Sequence, residues 1–323
     1  MWKLNTEGEG KELRVVFVET LQELMRDNPM VLALEADLGG ASGFTKIKKT
    51  NPGQFIQMGI SEANMIGTAA GLSMKGYIPY VHTFAPFTTR RALDQIYLEG
   101  AYAHNTINIY GSDPGVCVGA NGGTHNSFED IAIMRSIPQV TVLAPADEVQ
   151  MAWTIRETAG REGVHYIRGN RKKNPNVYAP GSEFEIGKGN VVREGRDIII
   201  FSYGEMLGVA YQAAQDLERD GISAEVVDMF TLKPFDSELV RREICKKRLV
   251  VTFENHSIIG GLGSAVAEVM AENASSVPLK RIGANDRFGQ VGTYEYLCRE
   301  FGLTRENLAE TVRNCVFRRV SAV

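Results

Sequence analysis

Residues 55–74, Phe-Ile-Gln-Met-Gly-Ile-Ser-Glu-Ala-Asn-Met-Ile-Gly-Thr-Ala-Ala-Gly-Leu-Ser-Met, hold a short apolar run, a glycine and then a small-residue helical pattern. The run Phe55 to Met58 reads as a buried strand and Glu62 to Met74 as the helix it feeds. The same order recurs outward in both directions. Strands are expected at Val31 to Ala36, Ile78 to Phe84, Thr106 to Tyr110, Thr141 to Ala144 and Val164 to Arg168. Helical patterns lie among them at Glu12 to Arg26, Thr89 to Glu99 and Asp147 to Ala159. Asp147, after Pro145 and before an apolar-periodic run, is the residue type that starts a helix. Strand and helix in strict alternation predict an α/β fold, a mainly parallel sheet with helices on its faces.

The pattern breaks across residues 170–189, a polar stretch with Arg171, Lys172, Lys173, Pro175, Pro180 and Gly181 that reads as a linker. It resumes with strands at Asp197 to Ser202, Ala224 to Met229, Leu249 to Phe253 and Leu279 to Ile282. Two α/β domains are therefore expected, 1–175 and 190–323. With 35 basic against 39 acidic side chains, the charge balance gives no footprint for nucleic acid or a membrane surface. The cluster Arg241, Arg242, Lys246, Lys247 and Arg248 reads as a solvated helix end favoured by the helix dipole. Cys117, Cys245, Cys298 and Cys315 are scattered, without metal-ligand spacing, as reduced thiols of a cytoplasmic protein are.

Three segments carry residues suited to chemistry. Glu62 follows a buried strand and opens an apolar helix. It either answers the positive end of the helix dipole or faces an enclosed cleft and shares one critical proton with a basic ring nitrogen. The run Gly119-Ala120-Asn121-Gly122-Gly123-Thr124-His125-Asn126 forms a glycine-rich loop after a strand, where open α/β sheets bind ligands. His125 within it is a candidate acid/base group. Phe84 and Phe87, three apart at a strand-to-helix turn, are either core or a flat platform for a ring.

Taken in order, GISEANMIGTAAGLS, YVHTFAPF, GANGGTHNSFEDIAIMRSIP, VLAPAD and YIRGN resemble the pyrimidine-binding domain of transketolases and of the related deoxyxylulose phosphate synthases. The later segments VVREGRDIIIFSYGEM, KPFD, FENHSIIGGLGSAVAEV and RIGANDRFG resemble the transketolase C-terminal domain. The resemblance covers nearly the whole chain.

It implies a thiamine-diphosphate enzyme. Glu62 matches the glutamate that bonds N1′ of the cofactor's aminopyrimidine and drives it to the imino tautomer, and the cofactor then does the hard chemistry. Phe87, and more peripherally Phe84, match the aromatics that pack on that ring. His125 matches the histidine beside the reacting atoms. Arg168 matches an arginine that grips the acceptor's phosphate, and Arg14 is a weaker match to a second.

The family's Gly-Asp-Gly diphosphate and Mg²⁺ motif does not occur in this sequence. The resemblance thus implies a separate diphosphate-binding subunit that holds the metal and the other half of the cofactor, in an α₂β₂ assembly. Within the site, Ala120, Asn121 and Asn126 replace Glu, Asp and Gln of the usual pattern, and Asp113 falls where many transketolases carry a phosphate-contacting histidine. Asn121 and Asp113 are then substrate-side positions, and the substrate is a sugar phosphate or a modified ketose. The rival readings are the β subunit of a 2-oxo acid dehydrogenase and a non-catalytic partner subunit. Thr124-His125-Asn126 with Phe128-Glu129-Asp130, and the FENHSIIGGLGSAVAEV run, favour transketolase over the dehydrogenase, and Glu62, His125 and the aromatic pair Phe84 and Phe87 argue against a non-catalytic partner.

Overall fold

The computed structural model describes residues 1–317. Seven strands form the first sheet, in the order Thr231–Lys233, Thr141–Leu143, Val164–Gly169, Ile107–Ser112, Ile78–Phe84, Val31–Glu35, Phe55–Gln57. All neighbours pair parallel except Thr231–Lys233, which runs antiparallel to Thr141–Leu143. The second sheet has five strands, Leu279–Ala284, Leu249–Ser257, Ile198–Ser202, Ala224–Asp228 and Asn190–Arg193, of which only the last is antiparallel. Two mainly parallel sheets with flanking helices are the fold read from the sequence. The central strands are apolar on both faces because helices cover both, and Val31–Glu35 and Ile198–Ser202 are buried at every position.

Three features depart from the sequence reading. The polar stretch 170–189 is not a free linker. Lys173–Pro175 pairs antiparallel with Glu9–Glu12, and the Asp147 carboxylate accepts from Val177 N (2.9 Å) and Tyr178 N (2.7 Å). The same carboxylate caps its own helix by accepting from Gln150 N at 3.0 Å, so the expected helix start is also the anchor of the crossing chain. Secondly, Thr231–Lys233 leaves the second half of the chain to complete the first sheet, and Lys233 Nζ donates to Arg135 O at 2.9 Å. Thirdly, the helix expected over Thr89–Glu99 is irregular. Wide-turn segments Phe87–Arg91 and Ile96–Tyr102 flank a short α-turn, with Ala92 off the helical region at φ −113°, ψ 16°. Such wide turns concentrate at functional sites.

The basic cluster is only partly a solvated helix end. Arg241 and Arg242 close the helix Ser237–Ile244, but Lys247 is buried in an ion pair with Glu225 at 2.5 Å. Among the described residues no helix is long and apolar enough to cross a membrane.

Candidate active site

Parallel strands deliver their successors to one edge, the carboxyl edge of the sheet. Glu62, Phe84, Asp113 and Arg171 follow or end four strands of the first sheet there. Glu62 is the first residue of the helix Glu62–Ser73, and its carboxylate is buried, 5% exposed. Arg91 Nη1 donates to its Oε1 at 2.9 Å. The same guanidinium lies on the face of Phe87, with Cζ 3.8 Å from the ring centroid. Phe84 is buried at the end of Ile78–Phe84, its centroid 6.0 Å from that of Phe87. Both rings are contacted edge-on by the imidazole of His125, at 5.1 Å from Phe87 and 5.9 Å from Phe84. The local sequence thus brings Glu62, Phe84, Phe87 and His125 into one run of contacts.

The loop carrying His125 is shaped by its glycines. Gly122 sits at φ 78°, ψ −170°, and a Cβ there would meet Val291 Cγ2 at 2.6 Å, so a side chain is excluded by conformation and by space. Asn126 is buried and its Nδ2 donates to Gly115 O at 2.6 Å, which closes the loop on itself. Arg90 ties the loop to the aromatic segment through Thr124 O (3.3 Å) and Glu129 (3.3 Å). His125 is half-buried, with Nδ1 at 2.9 Å from Thr124 Oγ1. Burial, then the positive charges of Arg91 and Arg90, hold the imidazole below its usual pKa. At neutral pH it is therefore a neutral group able to take a proton.

Asp113 does not face a ligand. Its side chain is fully buried, and its carboxylate takes Arg171 Nε at 2.7 Å and Arg171 N at 3.1 Å. Burial pushes it up to about 6 even though Arg171 opposes the shift. The aspartate is a mount for Arg171, whose guanidinium lies 5.2 Å from the Phe84 centroid. Arg171 also lines a cavity of about 600 Å³ together with Arg14, Asn121, Lys172 and Thr293. Asn121 is exposed there, while Arg14 is partly committed to Glu12 (2.7 Å) and Ala41 O (2.9 Å).

Arg168 is not a cleft residue. Its side chain is 1% exposed, with Nε on Asp130 Oδ2 at 2.8 Å and Nη2 on Asn255 O at 2.6 Å. The expected grip on a substrate anion fails for this residue because its charge is consumed inside the protein. Arg171, three residues on, reaches the cavity, as Arg14 does. Sequence reasoning read Arg171 as part of the linker and gave Arg91 no role. Their signal was position: each lies a few residues beyond a strand end or an aromatic already singled out.

The planar Arg91 cation, flat on Phe87 and bonded to Glu62, makes the two contacts that an aminopyrimidine needs, a face to stack on and a carboxylate at a ring nitrogen. The pyrimidine half of thiamine diphosphate fits these residues. Among the described residues, no three His, Cys, Asp or Glu side chains converge to hold a metal ion.

The family model described as the transketolase pyrimidine-binding domain matches residues 9–176, and that of the transketolase C-terminal domain matches 187–308. The chain is 43% identical over 307 residues, 95% of each chain, to a 6-deoxy-6-sulfo-D-fructose transketolase subunit of Clostridium sp. (strain MSTE9). It is 34% identical, over 92% of its length and 95% of the relative's, to an apulose-4-phosphate transketolase subunit of Phocaeicola vulgatus. Among solved structures it matches one titled split gene transketolase, inactive beta4 tetramer, with a TM-score of 0.87 and 40% identity over 94% of this chain and 98% of that one. With both family models matched in order and relatives of equal length, this chain belongs to the transketolase family, as a subunit made of its pyrimidine-binding and C-terminal domains.

Proposed function

We propose that this chain is the pyrimidine-binding subunit of a split, thiamine-diphosphate-dependent transketolase. It moves a two-carbon ketol unit between sugars, at least one of which ends in an anionic group. The observation that carries the reading is the convergence of Glu62, Phe87 and His125 at one sheet edge. When bound, the cofactor supplies a carbon nucleophile that attacks a ketose carbonyl. The protein's own residues do the rest. Glu62 holds a proton at the ring nitrogen that faces it. Phe87, with Phe84 behind it, sets the plane of the ring. His125, neutral and oriented by Thr124, exchanges a proton with the substrate oxygen nearest the reacting carbon.

Asn121 and Arg14 border the space for the sugar chain, and Arg171 takes its anionic end. A relative named for a sulfonated ketose and another named for a ketose phosphate fit a fixed guanidinium, which binds either oxyanion. Mg²⁺ and the diphosphate fall to a partner subunit carrying Gly-Asp-Gly, in a cytoplasmic α₂β₂ assembly. The two domains are assigned to 1–175 and 190–323.

The test is co-expression with such a partner and an assay of ketol transfer with thiamine diphosphate and Mg²⁺. Glu62→Ala is expected to lower activity at least a hundredfold. A loss within tenfold, about 1.4 kcal/mol of barrier, rules out the role given to Glu62.

A further inference from the structure

Arg91 is placed where no purely structural arginine needs to be. Its guanidinium is bonded to Glu62 Oε1 at 2.9 Å and lies over the face of Phe87 with Cζ 3.8 Å from the centroid, yet its side chain is 48% exposed. Those two contacts anchor its head, and both belong to the pair of residues assigned to the cofactor's ring. The guanidinium and a protonated aminopyrimidine share their relevant features: planarity, delocalised positive charge and an N–H in the plane aimed at a carboxylate. The two cannot sit on the same face of Phe87 and the same oxygen of Glu62 together.

We propose that Arg91 is an internal placeholder for the aminopyrimidine: it fills the Glu62–Phe87 clamp of the lone subunit and swings into solvent when the ring enters. This rests on the assignment of Glu62 and Phe87 to the ring, made above. The physical need is clear. A carboxylate 5% exposed and without a partner is costly, so a subunit that acquires its cofactor only on assembly requires a temporary counter-charge. Arg91 meets that need reversibly. It is held by one ion pair and one cation–π contact, half in water, on a wide-turn segment (Phe87–Arg91) that ends at the non-helical Ala92. The consequence is that ring binding is taxed. The ring's own contacts replace equivalent ones already made, and the net affinity must come from the diphosphate end, which the partner holds. The device makes cofactor capture depend on assembly.

The experiment measures thiamine diphosphate affinity by titration calorimetry, with Mg²⁺, on the complex with its diphosphate-binding partner. The proteins compared are wild type, Arg91→Met, Arg91→Lys, Glu62→Gln and the double variant Arg91→Met/Glu62→Gln. Methionine keeps the stem and some contact with Phe87 but removes the charge and the N–H groups. Arg91→Met is expected to tighten binding about tenfold, equivalent to about 1.4 kcal/mol, with Arg91→Lys between it and wild type. In the Glu62→Gln background the same substitution is expected to change little, because Arg91 no longer has a carboxylate to occupy. Unchanged or weaker binding in Arg91→Met overturns the placeholder, as does equal tightening in both backgrounds. A wild-type complex that binds no thiamine diphosphate overturns the functional reading itself, a result distinct from binding that ignores Arg91.

Discussion

Replacing Arg171 by methionine separates substrate recognition from folding, and both magnitudes can be worked out. Arg171 Nε is paired with Asp113 at 2.7 Å, and the residue lines the cavity, so its terminal nitrogens are the ones left for an anion there. A charge-assisted hydrogen bond contributes about 1.5–3 kcal/mol. Two such bonds to a terminal phosphate or sulfonate, in a site where the side chain is 24% exposed, come to about 3 kcal/mol after screening. The expected loss in kcat/KM is about two orders of magnitude for a ketose phosphate. For the same ketose without its phosphate the expected change is small.

The cost to stability has a ceiling. Burial already holds Asp113 at about 6 with Arg171 present, against 3.8 for the free group. At pH 7 that shift corresponds to a penalty of about 3 kcal/mol. Without the arginine the carboxyl rises further and stays protonated in the native state, and the penalty cannot exceed the cost of protonating it at pH 7, roughly 4 kcal/mol. The additional destabilisation through Asp113 is therefore on the order of 1 kcal/mol. Adding Asp113→Asn to the variant is expected to recover it without restoring turnover. The measurements are kcat/KM on the paired substrates and urea unfolding of the three proteins. Equal losses on charged and uncharged ketoses would refute the anion-binding role, and destabilisation well above 3 kcal/mol would refute the reasoning about Asp113.

Other outcomes follow from the same geometry. Arg90→Met removes a positive charge near His125 and so is expected to raise that imidazole's depressed pKa toward the ordinary value, read from a proton NMR titration of the isolated chain; a downward shift contradicts the charge argument. Gly122→Ala forces a Cβ at φ 78° into Val291 and is expected to cost about 1–3 kcal/mol in urea unfolding while lowering turnover through the displaced His125 loop. Asp228 is buried among Tyr178 Oη (2.6 Å) and Gln150 Nε2 (2.8 Å), and burial raises it to about 7. Its native pKa lies above the unfolded one, so the stability it adds is full below about pH 4 and is lost as pH rises through about 7. Wild type is expected to lose stability against Asp228→Asn by up to about 1.4 kcal/mol per pH unit across that window, and a difference flat from pH 5 to 7.5 counts against the assignment.

The central strands could be read from the chain because parallel strands covered on both faces are continuous apolar runs, as at Val31–Glu35 and Ile198–Ser202. Lys173–Pro175 and Thr231–Lys233 could not. Each has three residues, and each is a strand only because a distant segment, Glu9–Glu12 or Thr141–Leu143, offers it an edge. In the candidate site, the position of Glu62 after a strand and of His125 in a glycine loop marked them out, whereas for Phe87 the residues alone left core and platform open and the family resemblance singled it out. Charge type was legible for the arginines, but direction was not. Arg168 lies within Val164–Gly169, where it turns inward to Asp130 and Asn255, whereas Arg171 has cleared the strand and reaches the cavity. Asp113 was expected on the substrate side, where many transketolases carry a phosphate-contacting histidine. Its meaning depends on Arg171, 58 residues away.

That pairing extends around the whole site. Three arginines surround Phe84, Phe87 and His125, and each is tied to a carboxylate: Arg91 to Glu62, Arg90 to Glu129, Arg171 to Asp113. Two of these acids are essentially buried, so the positive ends of the pairs reach outward and the negative ends are turned into the protein. The face presented to a ligand is therefore more cationic than the residue count suggests. Such a face suits an anionic sugar, and the charges of Arg91 and Arg90 add to the burial that holds His125 neutral. The imidazole is held by Thr124 Oγ1, a neutral partner, and by its edge contacts with Phe84 and Phe87. A base of that kind suits a proton that moves back and forth on a sugar oxygen within one catalytic cycle, because neither the protonated nor the neutral form is trapped. On this reading the arginines divide the work: Arg171 faces the substrate's anionic end, while Arg91 and Arg90 add to the burial that lowers the proton affinity of His125.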